Sequence, residues 1–138
     1  MKYFFIDTNI LFDFLLAREP HATLAARLLS LSQEKKCGLY VSVISFNNLY
    51  YVLKKISSHS KAMSSIAGLS VYLRIVDFDK NILNQALNSD FKDFEDAIQY
   101  YSALQISKID GIITRNLKDF KLSEIPVLSP EMALGLMV

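Results

Sequence analysis

The sequence predicts an α/β fold, a parallel sheet with helices on both faces, as one domain over residues 1–138. Three observations lead there. Short runs such as Tyr3-Phe4-Phe5-Ile6 and Gly111-Ile112-Ile113 are apolar throughout, the pattern of strands buried on both faces. Stretches with helical apolar spacing separate these runs, and strands joined by helical crossovers lie parallel. The chain has 138 residues, 51% of them hydrophobic, with only four Gly and three Pro. That suits a single sizeable core and excludes a low-complexity or collagen-like chain.

Taken in order, Tyr3 to Ile6 is the first strand, and Asp7-Thr8-Asn9 follows it directly. Ile10 to Ala17 reads as a short helix that ends before Pro20. Ala22 to Lys35 carries Leu24, Ala25, Leu28 and Leu29 on one side, an amphipathic helix with Cys37-Gly38 as its stop. Leu39 to Val43 is the second strand. From Phe46 the period is helical again, with Leu49, Tyr50, Leu53 and Ile56 in one stripe. Lys61 to Tyr72 is a further helix with Ser60 as its N-cap, so two helices stand in succession here. Leu73 to Val76 is a short strand, and Lys80 to Leu87 a helix capped by Asp79. The linker Asn88 to Lys92 leads into a helix from Phe94 to Ile106, with Ala97, Tyr100, Tyr101 and Leu104 on one face. Gly111 to Thr114 and Ile125 to Leu128 are the last strands, and Pro130 suits the first turn of a closing helix.

Fifteen Lys plus Arg against fourteen Asp plus Glu leave a net charge of +1. That argues against a strongly basic nucleic-acid coat and leaves room for a local basic face. One Cys excludes an internal disulfide framework and a multi-cysteine zinc site. No run approaches the about 20 consecutive apolar residues of a membrane-spanning helix. The start Met1-Lys2, with Asp7 close behind, lacks the apolar core of a signal peptide. The expectation is a cytoplasmic protein with no membrane contact, its apolar excess covered by helices, a subunit interface, or both.

Ligands of open parallel sheets bind beyond the carboxyl ends of the strands. Asp7, Thr8 and Asn9 follow the first strand, and Ser45, Asn47 and Asn48 lie beyond the second. Thr114, Arg115, Asn116 and Asp119 follow Gly111 to Ile113, and Asp93, Glu95 and Asp96 open the helix from Phe94. Carboxylates gathered with no His or Cys suit a hard cation, Mg²⁺ or Mn²⁺, and phosphodiester hydrolysis is the natural reaction class. Plainer readings stand beside this one. Asp7 suits a helix N-cap, and Asp93, Glu95 and Asp96 complement a helix dipole. Asp119 suits a turn and Thr114 a strand end. His21, His59 and Cys37 receive no catalytic role, and the pairs Tyr50-Tyr51 and Tyr100-Tyr101 read as core or interface before base stacking.

The segment Phe5-Ile6-Asp7-Thr8-Asn9-Ile10-Leu11 resembles the opening of PIN domains, the fold of VapC-type toxin ribonucleases. Ser42 to Leu53 resembles their second motif, Phe94-Glu95-Asp96-Ala97-Ile98-Gln99-Tyr100 the third, and Ile112 to Phe120 the last. The four stand in order across nearly the whole chain. The resemblance implies a three-layer α/β/α sandwich around a parallel sheet, and a Mg²⁺- or Mn²⁺-dependent ribonuclease, the toxin of a toxin–antitoxin pair. Asp7, Asp96, Asp119 and Thr114 would form the catalytic set. Asp7, Asp96, Asp119, Asn48 and Asn116 would face the metal, with Thr8 and Asn9 in support. RNA, an antitoxin protein and a second copy of the chain would be the partners.

Two positions depart from the pattern. Asn48 stands where the second motif carries Glu, and Asn116 where the last often carries Asp. An amide oxygen ligates a hard cation but brings no charge. Glu95 is a poor replacement, because neighbouring helix positions diverge by about 100°. Arg115 and Lys118 are the expected RNA contacts, Arg115 foremost because its planar fork suits phosphate. A second reading is a catalytically weakened PIN-like module that binds RNA or a protein without cleavage, favoured by Asn48 and Asn116. A flavodoxin-like or haloacid-dehalogenase-like domain fits less well. No Gly-rich loop follows the first strand, and Asn9 stands where the phosphatase pattern needs a second Asp.

Overall fold

Along the first strand Phe4 and Ile6 face one side of the sheet and Phe5 the other, and all three are fully buried. That is the physical content of an apolar run: both faces are covered. The computed structural model describes residues 1–137. Its elements are β1 (Lys2–Ile6), α1 (Thr8–Leu15), α2 (His21–Gln33), β2 (Cys37–Ser42), α3 (Val43–Ile56), α4 (His59–Ser70) and β3 (Arg74–Val76). There follow α5 (Lys80–Leu87), α6 (Phe94–Ala103), β4 (Gly111–Ile113), a 3₁₀ turn at Leu117–Phe120, β5 (Val127–Leu128) and α7 (Pro130–Leu136).

The five strands form one all-parallel sheet in the order β3-β2-β1-β4-β5. Phe4, Ile6, Leu39, Val41 and Ile113 pack on one face against α1, α2, α3, α4 and α7. Phe5 and Ile112 pack on the other against Tyr100 and Ala103 of α6 and Phe120 of the 3₁₀ turn. Ile82 and Ala86 of α5 pack against Ala97 and Ile98 of α6 and extend that layer. The three-layer α/β/α sandwich is therefore as expected, including the doubled helices α3 and α4. Among the described residues no helix is long and apolar enough to cross a membrane.

Several boundaries differ from the sequence reading. Cys37-Gly38 is not a helix stop: α2 has ended at Gln33, and both residues pair with β1 in β2. The glycine serves a close approach, since a Cβ at Gly38 would lie 2.5 Å from the Tyr3 ring. Ser60 is not the N-cap of α4; Ser58 is, its Oγ accepting from Lys61 N–H at 3.1 Å, and Ser60 lies within the first turn. Val43 belongs to α3 rather than β2, because Ser42 caps α3 and ends the strand. Asp79 and Pro130 stand at their expected helix starts.

Candidate active site

β1 occupies the sheet centre with β2 on one side and β4 on the other, so its carboxyl end is the switch point where a crevice opens. Ile6 pairs with Ile113, and the next residues, Asp7 and Thr114, emerge side by side. Asp7 N–H donates to the Ile113 carbonyl at 2.9 Å. The Thr114 hydroxyl donates to Asp7 Oδ2 at 2.8 Å, and Thr8 N–H donates to Oδ1 at 2.8 Å. Asp7 thus caps α1 with no intervening loop, as its plainer reading has it, and still lines the crevice. The Thr114 hydroxyl oxygen also accepts from Asn116 N–H at 3.0 Å, which ties the strand end to the following turn.

The crevice is an open cleft of about 550 Å³, and it gathers Asp7, Asp93, Glu95, Asp96 and Asp119. Asn48 and Asn116 line it as well, with Thr8 and Asn9 at its base. Asp93 caps α6, its Oδ1 accepting from Asp96 N–H at 2.9 Å, so Glu95 and Asp96 fall in the first turn. Glu95 lines the same cleft as Asp96, although the two are neighbours on α6.

Burial pushes the Asp7 carboxyl up to about 6, over the opposing hydrogen bonds from Thr114 and Thr8, with Glu95 and Asp119 adding to the rise. Asp96 is raised to about 7 by burial and by the charges of Asp93, Asp119, Asp7 and Glu95. Glu95 is raised by burial and Asp93, partly offset by the neighbouring Asn48 side chain. Like charges crowded in one cleft thus add to the effect of burial.

Beneath the cleft lies a buried polar knot that sequence reasoning did not find. Thr8 Oγ1 and Ser45 Oγ are 2.6 Å apart, and Gln99 Nε2 donates to Thr8 Oγ1 at 3.1 Å and to Ser45 Oγ at 3.3 Å. It joins α1, α3 and α6, the helices that bring Asn9, Asn48 and Asp96 to the cleft. Its signal was faint: three small or neutral polar residues at core-facing helical positions.

Arg115 and Lys118 have different settings. Arg115 folds over α1 and grips Asp13, Nε donating to Oδ2 at 2.5 Å and Nη2 to Oδ1 at 3.0 Å. Arg18 approaches the same carboxylate at 3.8 Å. Asp13 is 1% exposed and was not singled out in the sequence, although it is the one charge within Thr8–Leu15. Lys118 is exposed and lines a second groove that shares Asp93, Asp96 and Asp119 with the cleft.

The donor set fits a hard divalent cation by chemistry. All the side-chain donors around Asp7 are oxygen or amide, and their mutual repulsion would be relieved by positive charge. Both amide atoms of Asn9 are buried without a hydrogen-bond partner at the cleft base, leaving its carbonyl free to accept a ligand's donors. Among the described residues no three Asp, Glu, His or Cys side chains are grouped so as to hold a metal ion by themselves, so amide oxygens and water would have to supply part of any ion's shell.

A family model described as PIN domain matches residues 3–118. Among solved structures, VapBC2 from Rickettsia felis bound to a DNA fragment from its promoter aligns with a TM-score of 0.69 at 17% identity, covering 92% of this chain and 98% of that chain. A toxin–antitoxin complex from Klebsiella pneumoniae aligns with a TM-score of 0.63 at 26% identity, covering 91% and 96%. VapC20 from Mycobacterium tuberculosis, a sarcin-ricin loop cleaving toxin, aligns with a TM-score of 0.60 at 20% identity, covering 79% and 86%. No curated protein matches the chain with significance.

Proposed function

The chain belongs to the PIN-domain family, and from that premise we propose that it is a divalent-metal-dependent ribonuclease, the toxin of a toxin–antitoxin pair. The observation that carries this is the placement of buried Asp7 at the switch point, fixed by Thr114 and facing Asp96 across one cleft. Asp7, Asp96 and Asp119 would hold Mg²⁺ or Mn²⁺, with the amide oxygens of Asn48 and Asn116 beside them. The bound ion supplies Lewis-acid polarisation of a phosphoryl oxygen and lowers the pKa of water. Thr114 orients the Asp7 carboxylate, and Thr8 and Asn9 shape the base of the cleft. Glu95, in the same cleft and outside the proposed ligand set, is the carboxylate left to accept a proton from water. Structural neighbours that are toxin–antitoxin complexes support an antitoxin as protein partner. The exposed apolar residues Ile56 and Met63 on α3 and α4 suit a homodimer contact, and the reading places the protein in the cytoplasm.

Mn²⁺ titration by calorimetry, paired with an RNA-cleavage assay, tests this. Binding and cleavage in the native chain, both lost in Asp7→Asn, are expected. Absence of Mn²⁺ binding, or cleavage that survives Asp7→Asn, overturns the reading. The second reading, an RNA- or protein-binding module without cleavage, is favoured by two neutral amides, Asn48 and Asn116, inside the cleft itself. RNA binding with no cleavage at any Mn²⁺ level would select it.

A further inference from the structure

The acidic cleft does not end at its carboxylates. It runs into a second groove of about 260 Å³, which shares Asp93, Asp96 and Asp119 and adds Lys92, Lys118 and Lys121. Three elements bring these lysines together: the segment before α6, the 3₁₀ turn, and the residue just after that turn. Among the described residues none of the three forms an ion pair, although acidic side chains line the same groove. Of the four arginines, Arg18 and Arg115 are both engaged by Asp13, and Arg27 and Arg74 line neither the cleft nor the groove. Lys54, Lys55 and Lys61 line neither groove. Phe12, Tyr51 and Val52 line the acidic cleft and not the second groove, an aromatic and apolar rim with Tyr51 63% exposed.

We propose that Lys92, Lys118 and Lys121 bind consecutive phosphates of a single-stranded RNA on one side of the scissile position, leaving Arg115 to a structural role. This rests on the ribonuclease reading above and adds the path of the substrate. Ammonium groups act as point charges that hold phosphate without reading sequence. A chain of phosphates leaving the acidic cleft meets its first free positive charge in this groove. A base on the other side meets the Tyr51 ring, a sequence-tolerant stacking surface. Lysine on one side and aromatic on the other gives the strand a direction through the site.

The test is equilibrium binding of a fluorescent single-stranded RNA to the full chain in EDTA, over a salt series. Each phosphate neutralised on a single strand contributes about −0.7 to the slope of log K against log salt. The triple variant Lys92→Gln, Lys118→Gln, Lys121→Gln should have a slope shallower by about 2, and Lys118→Gln alone by about 0.7. The charge-matched control Lys54→Gln, Lys55→Gln, Lys61→Gln should keep the native slope, with circular dichroism showing both triples folded. An unchanged slope in the groove variant, an equal change in the control, or no RNA binding by the native chain overturns the proposal. So does a groove variant that binds RNA normally but loses binding to a polyglutamate peptide, which would give the groove to an acidic protein segment. Cleavage with Mn²⁺ is scored separately on the native chain. A lysine-dependent slope without cleavage supports the path and removes the nuclease reading; cleavage with an unchanged slope does the reverse.

Discussion

Two aspartates lie buried at opposite ends of α1, and they have opposite neighbourhoods. Asp13, 1% exposed, receives a two-pronged guanidinium from Arg115. Asp7, 6% exposed, receives two hydrogen bonds and no cation, and its carboxyl is pushed up to about 6. A buried carboxylate matched by arginine is complete, and the protein can leave it alone. One that is hydrogen-bonded but unmatched, in a cleft shared with Asp96 and Asp119, keeps its charge uncompensated by the fold. That contrast is what the proposed role of Asp7 rests on.

The largest way to break this contrast is to remove Asp13. Asp13→Ala leaves Arg115 half-buried against α1 without its partner, and should cost about 3 kcal/mol in urea denaturation. A loss below about 1 kcal/mol would show that Asp13 is dispensable and the two ends of α1 are alike.

The next is to titrate the other end. Asp7 and Asp96 hold their protons more tightly folded than unfolded, so protonation favours the fold. In EDTA this contribution is fully present below about pH 4, is lost as pH rises through about 6 to 7, and stays lost above. Asp7→Asn should flatten that fall by about 2 kcal/mol, read as the difference between urea midpoints near pH 5 and pH 8. Mn²⁺ should restore stability to the native chain at the higher pH and do little for Asp7→Asn. A native chain whose stability rises over that window would reverse the sign and sink the account.

Smaller effects sharpen it. Asn48→Glu adds a carboxylate to the cleft and should tighten Mn²⁺ by about tenfold by calorimetry, if the site is short of charge rather than misshapen. No change in affinity would mean position 48 does not face the ion. Smallest, Arg115→Lys replaces a two-pronged contact by a point charge and should cost about 1 kcal/mol while leaving Mn²⁺ affinity untouched. A fall in Mn²⁺ affinity there would join the two ends of α1 into one site.

The sheet was legible because its strands are apolar on both faces, and Asp7 was legible because it follows such a strand with no loop. The motif order placed Asp96, Thr114 and Asp119 at the same edge before any geometry was known. What stayed hidden depended on distance along the chain. Asp13 looks like the polar stripe of a short helix, and its partner Arg115 lies 102 residues away. The Thr8, Ser45 and Gln99 knot joins three helices through polar residues that stand outside the apolar stripes by which helices are recognised. That Glu95 lines the cleft beside Asp96 was not legible, because neighbouring helix positions diverge by about 100°. Helix limits shifted by one to three residues where a cap such as Ser58 stood close to another serine.

β1 is made before the other four strands of its sheet, and it sits at the middle of that sheet. Its flank toward β4 stays bare until Gly111 has been made, and the hydroxyl that steers Asp7 belongs to a residue 107 positions downstream. A nascent or truncated chain that stops before this point has Asp7 but neither Thr114 nor Asp119. The order of synthesis therefore keeps the cleft incomplete until the segment from Gly111 to Asp119 has been made.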